Sequence, residues 1–126
     1  MKRVLFGVIL LAALLILGFL SQSYMVRTHR SAAELLELAG REALTDNWDG
    51  ARVHFCRSKA VWDEAYNLSA ALADHDPMEE VEGLYAQLEI FAQQEETTHF
   101  AALCMETSTR LQAIADAHVP SLWNIF

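Results

Sequence analysis

The chain has 126 residues, a formal charge of −8 and 53% hydrophobic residues. That length holds one domain, and that apolar content excludes a disordered acidic tail. Two prolines and five glycines leave little punctuation for a many-turned β protein, and two cysteines are too few for a disulfide scaffold.

The first element is apolar. Residues 4–20 contain no charge and no hydrogen-bonding side chain. As a helix they span roughly 26 Å, enough for a thin hydrocarbon core. Tyr24 stands where an interfacial aromatic belongs, and Met25 and Val26 extend the apolar length. Lys2 and Arg3 precede the run, so the amino terminus is expected in the cytoplasm and the rest outside. Arg27 and Arg30 place some positive charge on the far side as well. The run exceeds an ordinary signal-peptide core, which favours a retained anchor. Cleavage after Ser23, behind the small residues Ser21 and Ser23, is the alternative and would give a secreted chain. No cysteine adjoins the run for lipidation, and no glutamate stands inside it as in a pilin.

Charge is uneven beyond the anchor. Residues 60–126 hold one basic residue, Arg110, against twelve acids, while residues 21–59 are nearly balanced. No basic face exists for nucleic acid. The acidic half reads as a solvated, self-repelling surface, with a cationic partner as the alternative.

Four helical segments and no strand are expected after the apolar run. The first covers residues 28–44, with nothing to break it from the anchor helix. Leu35, Leu38, Ala39 and Glu42 mark its face, and Leu36 and Ala43 broaden it. Thr45, Asp46 and Asn47 then offer cap chemistry for a second helix. Its stripe is Trp48, Ala51, Phe55, Trp62, Ala65, Tyr66 and Leu72, with Ser58 and Ser69 between. Gly50 allows close approach to the end of the preceding helix.

The break at residues 73–79 is the clearest. Asp76 fits a cap, Pro77 a first helical position, and Glu79 completes a capping box. Met78, Val81, Leu84, Tyr85, Leu88, Phe91 and Ala92 form the third apolar face. The fourth segment starts near Thr97 and Thr98 and carries Phe100, Leu103, Cys104, Thr107, Leu111, Ile114 and Ala115. A short connection makes segments three and four antiparallel neighbours. The last six residues include Leu122, Trp123, Ile125 and Phe126, an apolar ending that either docks on the bundle or meets something else.

The order of these features resembles a bacterial family of small, N-terminally anchored helical proteins known as a domain of unknown function. The resemblance rests on the basic start and membrane helix, Asn47 and Trp48 followed by Ala51, then Trp62. It continues through the His75–Asp76 junction and the ending Leu122, Asn124, Ile125, Phe126. This chain departs at Asn47 and Pro77, where an acid and a glutamate are expected, and both changes keep helix-start chemistry. The resemblance implies a membrane-anchored helical domain with no enzyme activity, and a small multi-span membrane protein as a possible partner.

Chemical constellations are sparse. Glu96 and His99 have the spacing of a di-iron ligand pair, but such sites need a second copy and none is present. Asp74, His75 and Asp76 offer ligand or pH-sensing groups, with capping as the plainer role. Cys56 and Cys104 read as two buried small side chains, with a disulfide as the alternative. Trp48, Trp62 and Trp123 read as core residues. A tetratricopeptide-like Ala51, Phe55 spacing finds no second copy at a period near 34 residues.

The expected class is therefore all-α: an N-terminal transmembrane helix followed by a small antiparallel bundle of three to four helices. Residues 1–27 form the anchor, 28–119 the extracytoplasmic bundle and 120–126 the apolar tail. The expected function is a non-enzymatic accessory or interaction module at the cell envelope, with no catalytic residue, cofactor or metal site. It is held by residues 4–20 and assembles with another envelope membrane protein. Contact candidates are His75, Asp76, Trp123, Asn124, Ile125 and Phe126, together with the acidic half. The alternative is a metal- or small-ligand-binding bundle using His75, His99, His118 and nearby carboxylates.

Overall fold

The computed structural model describes residues 1–69 and 75–117, without the side chains of residues 69, 75 and 76. Among the described residues there are four helices and no strand. They are α1 (Lys2–Leu44), α2 (Trp48–Ser69), α3 (His75–Gln93) and α4 (Thr97–Ala117). The apolar run and the first bundle helix are thus one element. Its 43 residues span roughly 65 Å at about 1.5 Å per residue. No glycine pair or proline lies between residues 20 and 44 to break it.

Two corners, each of three residues, set the hairpins α1–α2 and α3–α4. Asp46 and Glu95 both adopt left-handed backbone, with φ of 61° and 51°. At each corner the next amide reaches back five residues to close the ending helix. Asn47 N donates to Glu42 O at 2.9 Å, and Glu96 N donates to Phe91 O at 3.0 Å. The same two residues then cap the following helices. Asn47 Oδ1 accepts the Gly50 amide at 3.2 Å, and Glu96 Oε2 accepts the His99 amide at 3.0 Å. Asn47 also donates to the Glu42 carboxylate at 2.5 Å. A Cβ on Gly50 would stand 3.0 Å from that carboxylate, so the glycine does permit the close approach expected of it.

The corners recur 49 residues apart, from Asp46 to Glu95. The buried positions recur with them. Ala32, Leu36, Ala39 and Ala43 on α1 match Val81, Tyr85, Leu88 and Ala92 on α3. Ala51, Phe55, Ser58 and Trp62 on α2 match Phe100, Cys104, Thr107 and Leu111 on α4. The chain is a pair of helical hairpins in one register. The repeat is invisible to sequence matching because the volumes at matched positions differ.

Those volumes shape the bundle. α1 packs closely against both α2 and α4, α3 lies against α4, and α2 and α3 stand further apart. α1 gives Ala32, Ala33, Ala39, Gly40 and Ala43 to its neighbours. A Cβ on Gly40 would sit 3.2 Å from the Cys104 Cβ, so only glycine fits there without displacement. The wider α2–α3 gap is filled by rings. Trp62 stacks on Tyr85 at 5.9 Å, and Phe55 lies 6.2 Å from Tyr85. Phe100 closes the far end against Trp48 and Phe55, at 5.2 and 6.1 Å. Each such side chain contributes about 1.5–3 kcal/mol when fully buried, as an upper value.

One correction follows for α1. Leu38 is 40% exposed, and Leu35 and Glu42 are half-buried, so they do not centre the buried face. The face is rotated onto alanines because two helices press on α1, and small side chains decide how near they come. A second concerns α3. Its described part starts at His75, with Asp76 and Pro77 already helical rather than at the cap and first position. A proline is tolerated there because first-turn amides have no partner within the helix. Leu72 and the side chain of Ser69 in the second stripe lie outside the described residues. The remaining stripe positions are buried or half-buried as expected.

A polar chain crosses the core. Ser58 Oγ donates to Ala32 O at 2.7 Å and meets the Tyr85 hydroxyl at 2.6 Å. A serine has one proton, so Tyr85 donates to Ser58. Burial pushes the Tyr85 phenol far above its ordinary value. Trp62 Nε1 donates to Glu82 at 2.6 Å, which also faces Lys59 at 3.4 Å. Burial pulls Lys59 down, but Asp63 and Glu82 outweigh it and hold the ammonium above its usual range.

Two outcomes follow. Ser58→Ala strands the buried Tyr85 hydroxyl and should cost about 1–3 kcal/mol, whereas Tyr85→Phe leaves Ser58 its carbonyl and should cost about 0.5–1.5 kcal/mol. Denaturation of the detergent-solubilised chain, followed by Trp48 and Trp62 fluorescence, reads both. A larger loss for Tyr85→Phe would contradict the direction assigned to the chain. The second outcome concerns acid stability. The His99 amide and ring hold the Glu96 carboxyl below its ordinary value. Its stabilisation is therefore present above the unfolded pKa of about 4.3 and lost as pH falls through the lower folded value. Glu96→Ala should lower Tm near neutrality and flatten this acid limb; an unchanged acid limb would show that the cap does not act.

Candidate anchor and interaction surface

Every residue from 2 to 20 is exposed, and among the described residues nothing lies within 4 Å of where a Cβ would stand at Gly7 or Gly18. The segment is long and apolar enough to cross a membrane, with a mean hydropathy of 2.9 over its window. Such a run left in water carries a large unfavourable hydration cost. It is joined to the core without a linker. Residues 21–24 are half-buried, Met25 is buried, and His29 packs edge-on against Trp62 at 5.7 Å. One helical turn separates the apolar segment from the bundle.

The helix directions fix which parts share that end. α2 and α4 run towards it and α3 starts from it, so the corners at Asp46 and Glu95 lie at the opposite end. His75 and Asp76 lie at the start of α3, but their side chains are outside the described residues. Trp123, Asn124, Ile125 and Phe126 follow α4 and are also outside them. Of the histidines in the ligand-binding alternative, His118 is outside too.

His99 is described, and it is occupied. Its ring meets the Glu96 carboxylate and stacks on Phe91 at 5.3 Å. The Glu-x-x-His spacing is here a helix start. Among the described residues no group of three His, Cys, Asp or Glu side chains converges on a metal-sized site. Cys104 is buried, and burial pushes its thiol up to about 12. Cys56 is exposed, against the expectation that both are buried, because it follows Phe55 on the outer side of α2. Both thiols are free.

Two grooves lie among the described residues. A groove of about 190 Å³ lies between α3 and α4, lined by Pro77, Val81, Ala113 and Ile114. Arg110 closes its rim by an ion pair with Glu80 at 2.7 Å. A second, of about 160 Å³, lies at Arg30, Glu34, Gln112 and Asp116. Both fall below the ~300 Å³ at which small-molecule sites begin. Sequence reasoning passed over this second patch, where Arg30 bridges to Asp116 at 3.2 Å and ties α1 to the end of α4. The signal was present as a basic residue opposite an acid, but not the helix pairing that joins them.

The chain matches one family over residues 19–125, which takes in the bundle, the His75–Asp76 junction and the apolar ending. No curated protein and no solved structure matches it. The matched stretch is most of the chain, and the protein belongs to the family described as Domain of unknown function (DUF4363).

Proposed function

We propose that this protein is a single-pass, membrane-anchored accessory module of the cell envelope. It carries out no reaction itself and acts by assembling with another envelope membrane protein. The observation that carries the reading is the position of residues 4–20. They are exposed, wholly apolar and part of the same helix that forms the bundle core. An apolar helix of that length is stable in hydrocarbon, where its backbone bonds are satisfied internally. Lys2 and Arg3 hold the amino terminus in the cytoplasm, which places the bundle outside.

The accessory role is supported by the kind of surface the bundle offers. Its described grooves are shallow, and its side chains serve packing, caps and ion pairs. A partner therefore finds a broad, acidic, rigid face. A partner that spans the bilayer would meet both the anchor and the near end of the bundle.

Three readouts on native membranes test this. The full-length tagged chain should stay in the membrane after an alkaline wash and should begin at Met1. A reporter fused to its carboxy terminus should be active only outside the cytoplasm. In mild detergent it should co-purify with a stoichiometric membrane protein. A chain beginning at Tyr24 would overturn the anchor, and a partnerless monomer would overturn the accessory role.

A further inference from the structure

The heights of the bundle residues above the anchor can be read from contacts that cross between helices. Ser58 bonds Ala32, and α2 runs opposite to α1. Ten residues further on, Leu68 therefore stands level with about residue 22 of α1. That is about 3 Å beyond Leu20 along the axis, at about 1.5 Å per residue. The polar layer outside the hydrocarbon core is about 5–8 Å thick. Leu68 falls within it, and it is 48% exposed.

Arg27 stands about 10 Å beyond Leu20 by the same measure. Side chains on a helix tilt towards its amino terminus, which here is the anchor. Arg27 does so: its Nε donates to Ser23 O, one turn nearer the anchor, at 3.4 Å. Among the described residues it makes no ion pair, although Arg30, one turn on, is paired with Asp116. A long guanidinium leaning that way from that height reaches the phosphate level. Tyr24, half-buried between the two, has the ring chemistry of an interfacial residue.

Resting on the anchor reading above, we propose that the near end of the bundle seats on the phospholipid headgroup layer, with Leu68 entering the interface and Arg27 binding lipid phosphate. The bundle is then not held off the membrane on a stalk. An unbroken α1 fixes its height, because the one turn at residues 21–24 leaves no slack. Net charge does not drive the seat. Tyr85 bonds Ser58, so Glu79, six residues before it, stands exposed about 9 Å beyond Leu20. Apolar burial of Leu68 and one guanidinium hold the contact, which therefore forms on zwitterionic lipid.

The test uses the full chain in phosphatidylcholine vesicles, with Cys56→Ser removing the exposed thiol. Single nitroxides are placed by Leu10→Cys, Leu68→Cys and Leu44→Cys, all at exposed positions. Collision with a water-soluble nickel chelate is compared with collision with oxygen. The expected result is a lipid signature at 10, a several-fold lower nickel collision at 68 than at 44, and a water signature at 44. Arg27→Glu should raise nickel access at 68 and leave 10 unchanged. A lipid signature at 10 with equal access at 68 and 44 overturns the seat and spares the anchor. A water signature at 10 overturns both. An unchanged label at 68 in Arg27→Glu overturns the phosphate contact.

Discussion

At Ala32, Ala33, Ala39, Gly40 and Ala43, α1 presents almost no side chain to the helices on either side of it. α2 and α4 come close because nothing keeps them away, and at the Gly40–Cys104 approach a methyl group would have to displace its neighbour. The other dimensions follow. With two helices drawn in around α1, the third is left across the bundle, and the space before it must be filled by volume. Trp62, Phe55 and Tyr85 supply that volume, and Ser58 carries a hydrogen bond from the third helix through the second to the first. The thin helix and the bulky rings answer one another, since close-packed interiors tolerate neither void nor overlap.

The helices were legible in the sequence because their boundaries are written in local chemistry. Cap residues near Asn47 and Glu96 and periodic apolar faces on α2, α3 and α4 depend on neighbours within a turn or two. The face of α1 was less legible. Leu35 and Leu38 look like core by size, yet the core there is chosen by smallness, and closeness of approach is a property of two helices together. The equivalence of the hairpins was hidden for a related reason: Leu36 matches Tyr85 in position but not in volume, and Phe55 matches Cys104.

For the candidate surface the balance differs. The apolar segment was plain from composition alone, because seventeen uncharged apolar residues need no tertiary information to be recognised. What composition did not contain was its relation to the bundle. Only the pairing of Ser58 with Ala32, and of Arg30 with Asp116, places residues far apart in sequence at known heights along one axis. Of the expected contacts, His75 and Asp76 lie at the start of α3, at that same end, and residues 123–126 lie outside the described residues. A helix that is apolar and exposed in its first half and core in its second transmits position without a joint.

The central claim is that continuity, and it can be measured as a distance. Two nitroxides, at Ile16→Cys and Leu44→Cys in a Cys56→Ser chain reconstituted in lipid, bracket the passage from the apolar segment to the corner. Double electron–electron resonance should give one narrow distribution near 42 Å, the length of 28 residues of α-helix at about 1.5 Å each. A broad distribution, or one centred well below that value, would mean that α1 is broken between the apolar segment and the bundle, and the account would fail.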